Sequence, residues 1–449
     1  MTSSDAANNL NLVSDLVAKA QAQGADAADA VLVSGTSLSV SVRMGILENL
    51  ERSEGQDIGL RVFVGKRQAI ASSSDTGTKA LADMVERAVA MARAVPEDTY
   101  AGLADPDQIG TGDIDLESYD ATEVSEETLT NWAKTAEDAA RAVEGITNTE
   151  GAGGGWGQHD VAIAASNGFA KTRSDSSVSV SASVIAGEGT GMERDYDYAT
   201  AVFVSDLEDP AAIGRSAGER TMKRLNPRKA ETGQVPVIYD PRVSNSLVRH
   251  LTGAINGSGI ARGTSFLKEA MGDQIFPKNI QIIDDPLRLR GHRSKAFDGE
   301  GIATQRRALI EDGVLQTWIL DLRTARQLGL QTTGNAARGT ASPPSPSATN
   351  VYLEAGTVSP EDLIADIKSG FYVTELIGMG VNGVTGDYSR GASGFWIENG
   401  QITTPVSEMT IAGNLKNMFA HLTPANNLKF RHGTDAPTVR IEGMTVAGL

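Results

Sequence analysis

The same order of elements is written twice into the first half of this chain, and that repeat limits the fold more than any other feature. In the first copy Leu12, Val13, Leu16, Val17 and Ala20 fall on one helical face. Short segments that tend to alternate follow at 31–33, 38–42, 46–50 and 58–64, separated by Gly and polar turns, and read as an antiparallel meander. An amphipathic helix then carries Leu81, Met84, Val85, Ala88, Val89, Ala92 and Val95 at i, i+3, i+4, i+7, i+8, i+11 and i+14, and Pro96 ends it. An acidic connector over about 97–122 leads to the second copy. Ser125 is placed to cap a helix with Leu129, Trp132, Ala133, Ala136, Ala140 and Val143 on its apolar face. Residues 151–157 read as a flexible Gly-rich turn, strands are expected at 161–165, 178–185 and 199–204, and a helix closes the copy over about 210–225. Helix–strands–helix twice over predicts one α+β domain with an internal duplication, residues 1–230.

A β-rich domain, residues 231–449, is expected to follow, opening on the strand Val235-Pro236-Val237-Ile238-Tyr239. Two hairpin signatures match each other, Ile310-Glu311-Asp312-Gly313-Val314-Leu315 and Ile397-Glu398-Asn399-Gly400-Gln401-Ile402. Asp-Gly and Asn-Gly supply the positive φ angles that a type I′ turn needs. Ser359-Pro360-Glu361-Asp362 starts a short helix expected to run through Leu363, Ile364 and Ile367 to Gly370, with a cap, Pro in the first turn and acids on the dipole. A long Gly-, Ser-, Thr-, Ala- and Pro-rich stretch at 332–350 reads as a functional or disordered loop.

Composition narrows the function. At ~150 residues per domain, 449 residues make roughly two or three domains. No apolar run approaches the ~20 residues of a membrane span. The opening Met1-Thr2-Ser3-Ser4-Asp5 lacks the pattern of a secretory signal, so a cytoplasmic location is expected. The absence of Cys excludes disulfides, thiolate metal sites and a Cys nucleophile. Forty basic residues against 57 acidic ones, net −17, disfavour direct nucleic-acid binding. The densest basic cluster, Arg288, Arg290, His292, Arg293, Lys295, Arg306 and Arg307, reads as a solvated face or an interface to an acidic partner.

No self-contained catalytic centre emerges. Zinc hydrolysis needs two His one helical turn apart with an acid nearby, and the five His (159, 250, 292, 421 and 432) offer no such pair. Gly257-Ser258-Gly259 and Ala392-Ser393-Gly394 fail the spacing of a nucleophile elbow. Residues 59–67 fail as a P-loop, having one residue too many between the glycines and Arg67 where Ser or Thr is needed. Gly378-Met379-Gly380-Val381-Asn382-Gly383 matches G-x-G-x-x-G, but the Gly- and Ser-rich run after it does not start a helix. Such dense glycine fits a bulged strand and turn, and permits close approach of another backbone.

Several motifs together resemble the TldD/PmbA family, once described as modulators of DNA gyrase. They are Arg262-Gly263-Thr264-Ser265-Phe266, the 310–315 hairpin, Thr332-Thr333-Gly334-Asn335, Thr349-Asn350 and, most specific, the block from Val384-Thr385-Gly386-Asp387-Tyr388-Ser389-Arg390 to Phe395-Trp396-Ile397-Glu398-Asn399-Gly400. Ser53-Glu54-Gly55-Gln56-Asp57-Ile58-Gly59-Leu60-Arg61-Val62 fits as well, so the resemblance runs through essentially the whole chain. Members of the TldD branch are zinc peptidases with His-Glu-x-x-x-His on a helix and a further Cys ligand. Setting Arg262-Gly263-Thr264-Ser265 in register places Val248, Arg249 and Gly253 where that motif's His, Glu and His stand. The resemblance therefore implies the PmbA (TldE) branch, with no catalytic or metal residue in this chain and zinc in a TldD-type partner.

The implied function is that of a metal-free subunit of a heteromeric TldD/TldE metalloprotease acting on unfolded or leader peptides. It would complete the chamber and position peptide for the partner's zinc. Contact candidates for peptide or partner are Arg262, Asp387, Tyr388, Arg390 and Trp396, with an exposed sheet edge expected near 384–396 or in the 332–350 loop. Two other readings stay open: a non-enzymatic adaptor or regulator, for instance of gyrase-directed toxin–antitoxin or peptide systems, and an independent homodimeric hydrolase.

Overall fold

A computed structural model describes residues 3–110 and 114–448, with only the backbone of residues 3–5. Met1 and Thr2 of the opening stretch, and 111–113 of the connector, lie outside the described residues. The first copy of the repeat comprises α1 (Ser3–Ala22), β1 (Ala27–Arg43), β2 (Ile46–Val64), β3 (Arg67–Ser73) and α2 (Thr78–Ala94). The second comprises α3 (Glu126–Arg141), β4 (Ile146–Ala165), β5 (Ala170–Ala186), β6 (Glu193–Ala201) and α4 (Pro210–Lys223). The strands join in one six-stranded antiparallel sheet of order β3-β2-β1-β4-β5-β6. The first strand of each copy thus pairs with that of the other, Asp29 opposite Ala165 and Val42 opposite Ala152.

The helix periodicities become packing. On α2 the residues Leu81, Met84, Val85, Ala88, Val89 and Ala92 are buried, while Val95 turns extended and serves as the C-cap. Ser125 caps α3 by accepting from Thr128 N–H, and Leu129, Ala133, Ala136 and Ala140 are buried beneath it. Two expectations change. The four segments read in the first copy are two strands of 17 and 19 residues. The polar run Ser34-Gly35-Thr36-Ser37 stays in the ladder because β2 and β4 pair with it on both sides, so backbone bonding outweighs side-chain polarity. Residues 151–157 lie inside β4 rather than in a turn. There a Cβ on Gly154 would come within 2.8 Å of the Leu129 carbonyl oxygen, so glycine lets α3 settle close to the sheet.

Beyond this sheet the chain runs through β7 (Gly233–Tyr239), α5 (Pro241–Ala254), α6 (Gly257–Ala261), β8 (Ile282–Asp284), β9 (Arg307–Glu311), β10 (Val314–Leu315) and α7 (Leu322–Leu328). Next come β11 (Ala336–Ala337), β12 (Ser345–Pro346), β13 (Val351–Leu353), α8 (Pro360–Ile364), β14 (Ser369–Ile377), β15 (Asp387–Glu398) and β16 (Gln401–Asn414). The chain ends with α9 (Leu415–Ala420), β17 (Leu422–Pro424), β18 (Thr434–Asp435) and β19 (Val439–Ala447). Strands β7, β14, β15, β16 and β19 pair successively and close into a ring, because β16 also pairs with β19. Their apolar residues form one core with α5, including Tyr239, Leu247, Val248, Phe371, Tyr388 and Met409. Both hairpin turns have the expected geometry, with φ of 48° and 81° at Asp312 and Gly313, and 51° and 77° at Asn399 and Gly400. Ser359 caps α8 as read, but the helix stops at Ile364.

The 332–350 stretch is an ordered clasp between the two parts. Asn335 Nδ2 donates to Asp284 at 2.7 Å, and the Thr349 N–H and hydroxyl donate to the same carboxylate, so both ends are pinned beside β8. Asn350 accepts from Arg293 N–H at 2.9 Å. The middle lies on β2, where a Cβ on Gly59 would come within 2.0 Å of the Thr340 carbonyl oxygen. Beside it Arg338 pairs with Asp29 at 2.8 Å, and Arg61 holds the same carboxylate at 2.5 Å, all three buried. The basic cluster is also largely engaged within the chain. Arg290 bridges Glu117 (2.6 Å) and Asp206 (2.8 Å), Arg306 lies 3.5 Å from Glu354, and Arg288 stacks on Phe430. Among the described residues no helix is long and apolar enough to cross a membrane.

Candidate functional site

The positions Val248, Arg249 and Gly253, which the resemblance sets in register with a metal motif, lie on α5. Asp240 caps it by accepting from Arg242 N–H at 2.9 Å, Pro241 fills its first turn, and the Tyr372 hydroxyl donates to Asp240 at 2.8 Å. The helix buries Val243, Leu247, Val248 and Leu251 in the core, which leaves Arg249, His250 and Gly253 on a cleft. Immediately after it, α6 ends at Arg262, and Gly263 at φ 69° turns the chain back. The Ser265 hydroxyl donates to Ala254 O at 2.5 Å and accepts from Leu267 N–H, tying the Arg262–Phe266 turn to the end of α5.

The opposite wall is the Gly378–Gly383 run. Ser389 N–H donates to Gly380 O at 2.7 Å, and a Cβ on Gly380 would sit 2.0 Å from Ser389 O, so the dense glycine does serve close backbone approach. Phe266 N–H donates to Gly383 O at 3.0 Å and joins the two walls. The cleft between them has a volume of about 470 Å³ and opens to solvent.

Four of the positions singled out in sequence, Arg249, Gly253, Arg262 and Arg390, meet on this cleft. The others do not. Val248 is 2% exposed in the core. Tyr388 is 1% exposed, hydrogen-bonded to the Tyr239 hydroxyl at 3.4 Å and edge-on to His250. Trp396 packs beside Phe371. The alternation of β15 turns both aromatic rings to the core, so neither presents a surface to a peptide or partner. Asp387 is exposed, but accepts from Thr385 and Asn414, and these bonds hold its carboxyl below the usual range. Nor is 384–396 a free edge, since β15 is flanked by β16 on one side and by β14 and Gly380 on the other. The open edge is elsewhere. Strand β2 pairs with β1 along its length but with β3 only from Ile58 onward, which leaves 46–57 unpaired on one side among the described residues.

The cleft's side chains do not fit a zinc ion. Its one imidazole, His250, is pushed down to about 4 by burial and then by the guanidinium groups of Arg390 and Arg249. The two guanidinium groups beside the ring also repel a dication. No Asp or Glu lines the cleft, and among the described residues no three His, Cys, Asp or Glu side chains are grouped to hold a metal. Sequence reading missed His250 and the Met379 wall as parts of this cleft. Their only signal was proximity in sequence, to Arg249 and to the glycine run.

Comparison with known proteins agrees with this architecture. Residues 28–92, 119–225 and 232–448 match, respectively, domain 1, the central domain and the C-terminal domain of the PmbA/TldA metallopeptidases. The Escherichia coli O157:H7 protein named Metalloprotease PmbA is 38% identical, over 94% of this chain and 92% of its own. The Haemophilus influenzae PmbA homolog is 36% identical over 97% and 95%. A Bacteroides thetaiotaomicron crystal structure described as a modulator of DNA gyrase superposes with a TM-score of 0.91 at 28% identity, covering 98% of this chain and 99% of that one. TldE from Thermococcus kodakarensis shares the fold, with a TM-score of 0.86 at 22% identity over 97% and 100%. An α+β protein with a duplicated N-terminal sheet and a β-rich C-terminal domain is thus defined. The chain belongs to the PmbA/TldD metalloprotease family.

Proposed function

We propose that this chain is the metal-free, PmbA/TldE-type subunit of a heteromeric cytoplasmic metalloprotease, in which a TldD-type subunit holds the zinc. One observation carries the reading: where a zinc motif would sit on α5 there stand a buried Val248, a cationic Arg249 and a Gly253 without a side chain. TldD-type relatives support the pairing. The Haemophilus influenzae TldD homolog is 31% identical over 45% of this chain. In this reading the chain walls the chamber, excludes bulk water and holds an unfolded or leader peptide extended across the partner's zinc. The unpaired stretch of β2 offers main-chain donors and acceptors to such a strand.

The test is elemental analysis of untagged chain purified without chelators. Zinc far below one per chain is the expected result, and about one tightly held zinc per chain would overturn the assignment.

A further inference from the structure

The cleft on α5 is cationic and unpaired in a chain whose net charge is −17. Several buried arginines elsewhere meet acids closely: Arg61 on Asp29 at 2.5 Å, Arg224 on Glu375 at 2.6 Å, Arg242 on Asp195 at 2.7 Å. Around the cleft, Arg249, Arg262 and Arg390 face one space of about 470 Å³ that no Asp or Glu lines. Among the described residues none of the three makes an ion pair within 4.0 Å, and Arg390 donates only to Ile377 O at 3.3 Å. His250 Nε2 is buried there without a hydrogen-bond partner.

Arginines that line one space without an acid favour the entry of an anion, and their planar forks match a carboxylate's two oxygens. The other walls are not those of a site for a bare inorganic ion. Phe266, Val381 and Leu415 supply apolar surface, and Met379 stands at the rim, 90% exposed. A ligand that satisfies both halves carries a carboxylate next to an apolar group.

We propose that this cleft, at the place of the missing metal motif, is a carboxylate-binding site whose ligand is a peptide, held through its C-terminal carboxylate or an acidic side chain. An apolar neighbour in the peptide then lies against Phe266, Val381 and Met379. The choice of a peptide as carrier rests on the peptide-handling reading above. The cleft is thereby an anchor that fixes one end of a chain while the rest extends toward the partner.

The experiment uses the full chain alone, so that it does not depend on assembly or proteolysis. Fluorescence anisotropy is read with three N-terminally labelled Ala/Phe heptapeptides: one with a free C-terminal carboxylate, its C-terminal amide, and the amide carrying an internal Asp. At least one acid-bearing peptide is expected to bind about tenfold or more tightly than the neutral amide, as loss of a charged hydrogen bond predicts, and the better of the two names the source of the carboxylate. Arg262→Gln and Arg390→Gln are each expected to weaken that binding by a similar factor with the unfolding midpoint unchanged. Equal binding of acid and amide peptides, or undiminished binding by both variants, would overturn the proposal. Displacement of the peptide by inorganic phosphate at lower concentration than by acetate would overturn its carboxylate assignment. Loss of acid–amide discrimination leaves the subunit reading standing, and failure of proteolysis with a partner leaves this binding result standing.

Discussion

Two groups of arginines in this protein do opposite things. At the clasp, Arg61 and Arg338 close on Asp29 with all three side chains buried, and Glu300 and Asp321 add to the field on Arg61. On the α5 cleft, Arg249, Arg262 and Arg390 line a common space whose walls hold no acid, although the Arg249 charge also reaches Asp435 behind the helix. The first group is a joint between the N-terminal sheet and the 332–350 clasp, where a charge removed from water must be matched in place. The second is open to solvent and can wait for its counter-ion.

This contrast predicts a graded series of effects. Asp29→Asn leaves two buried guanidinium groups without their shared carboxylate, and should cost about 3–5 kcal/mol in guanidinium unfolding. Gly59→Ala forces a methyl against the Thr340 carbonyl and should cost about 1–3 kcal/mol in the same measurement, by pushing the clasp off β2.

Glu300 supplies the pH test of the joint. Burial, then the neighbouring Asp298 carboxylate, push its carboxyl up to about 8. Below about pH 4.5 it is protonated whether the chain is folded or not. Between there and about 8 the folded chain keeps a proton that the unfolded chain releases, so its contribution to stability is lost as pH rises through that window. Glu300→Gln keeps an acceptor for the Leu322 N–H, which donates to Glu300 at 2.8 Å. It should flatten the decline by up to about 1.4 kcal/mol per pH unit, read from unfolding midpoints between pH 5 and 8. The smallest effect belongs to the cleft: Arg262→Gln should change stability by less than about 0.5 kcal/mol, because the side chain it removes is exposed and pairs with nothing nearby. A large loss there would erase the distinction between the two groups.

Much of the frame was legible in sequence because it is local. The α2 stripe, the Ser125 and Ser359 caps and the Asp-Gly and Asn-Gly turns each depend on residues within a few positions of one another. The duplication was legible as order, and its outcome, β1 against β4, follows from two similar units sharing one sheet. What pairing decides was not legible. The polar run at 34–37 and the glycines of β4 sit in strands because their neighbours across the sheet hold them there. For the site, 128 positions separate Arg262 from Arg390, and their meeting on the cleft depends on tertiary contacts such as the bond from Phe266 to Gly383 and the packing of His250 on Tyr388. Tyr388 and Trp396 looked like contact residues because aromatic rings serve both cores and interfaces, and composition does not tell which. The Thr332–Asn335 and Thr349–Asn350 motifs proved to be the pins of the clasp on Asp284 and Arg293, a role visible only once β8 lies between them.

The most direct test of the central claim is reconstitution. Cleavage of an unfolded peptide is measured with this chain alone, with the TldD-type subunit of the same organism alone, and with the two mixed in equal amounts. The account predicts no cleavage by this chain alone, strong cleavage by the mixture, and its loss when the partner's motif Glu is replaced by Gln. Cleavage by this chain alone at the rate of the mixture would contradict it.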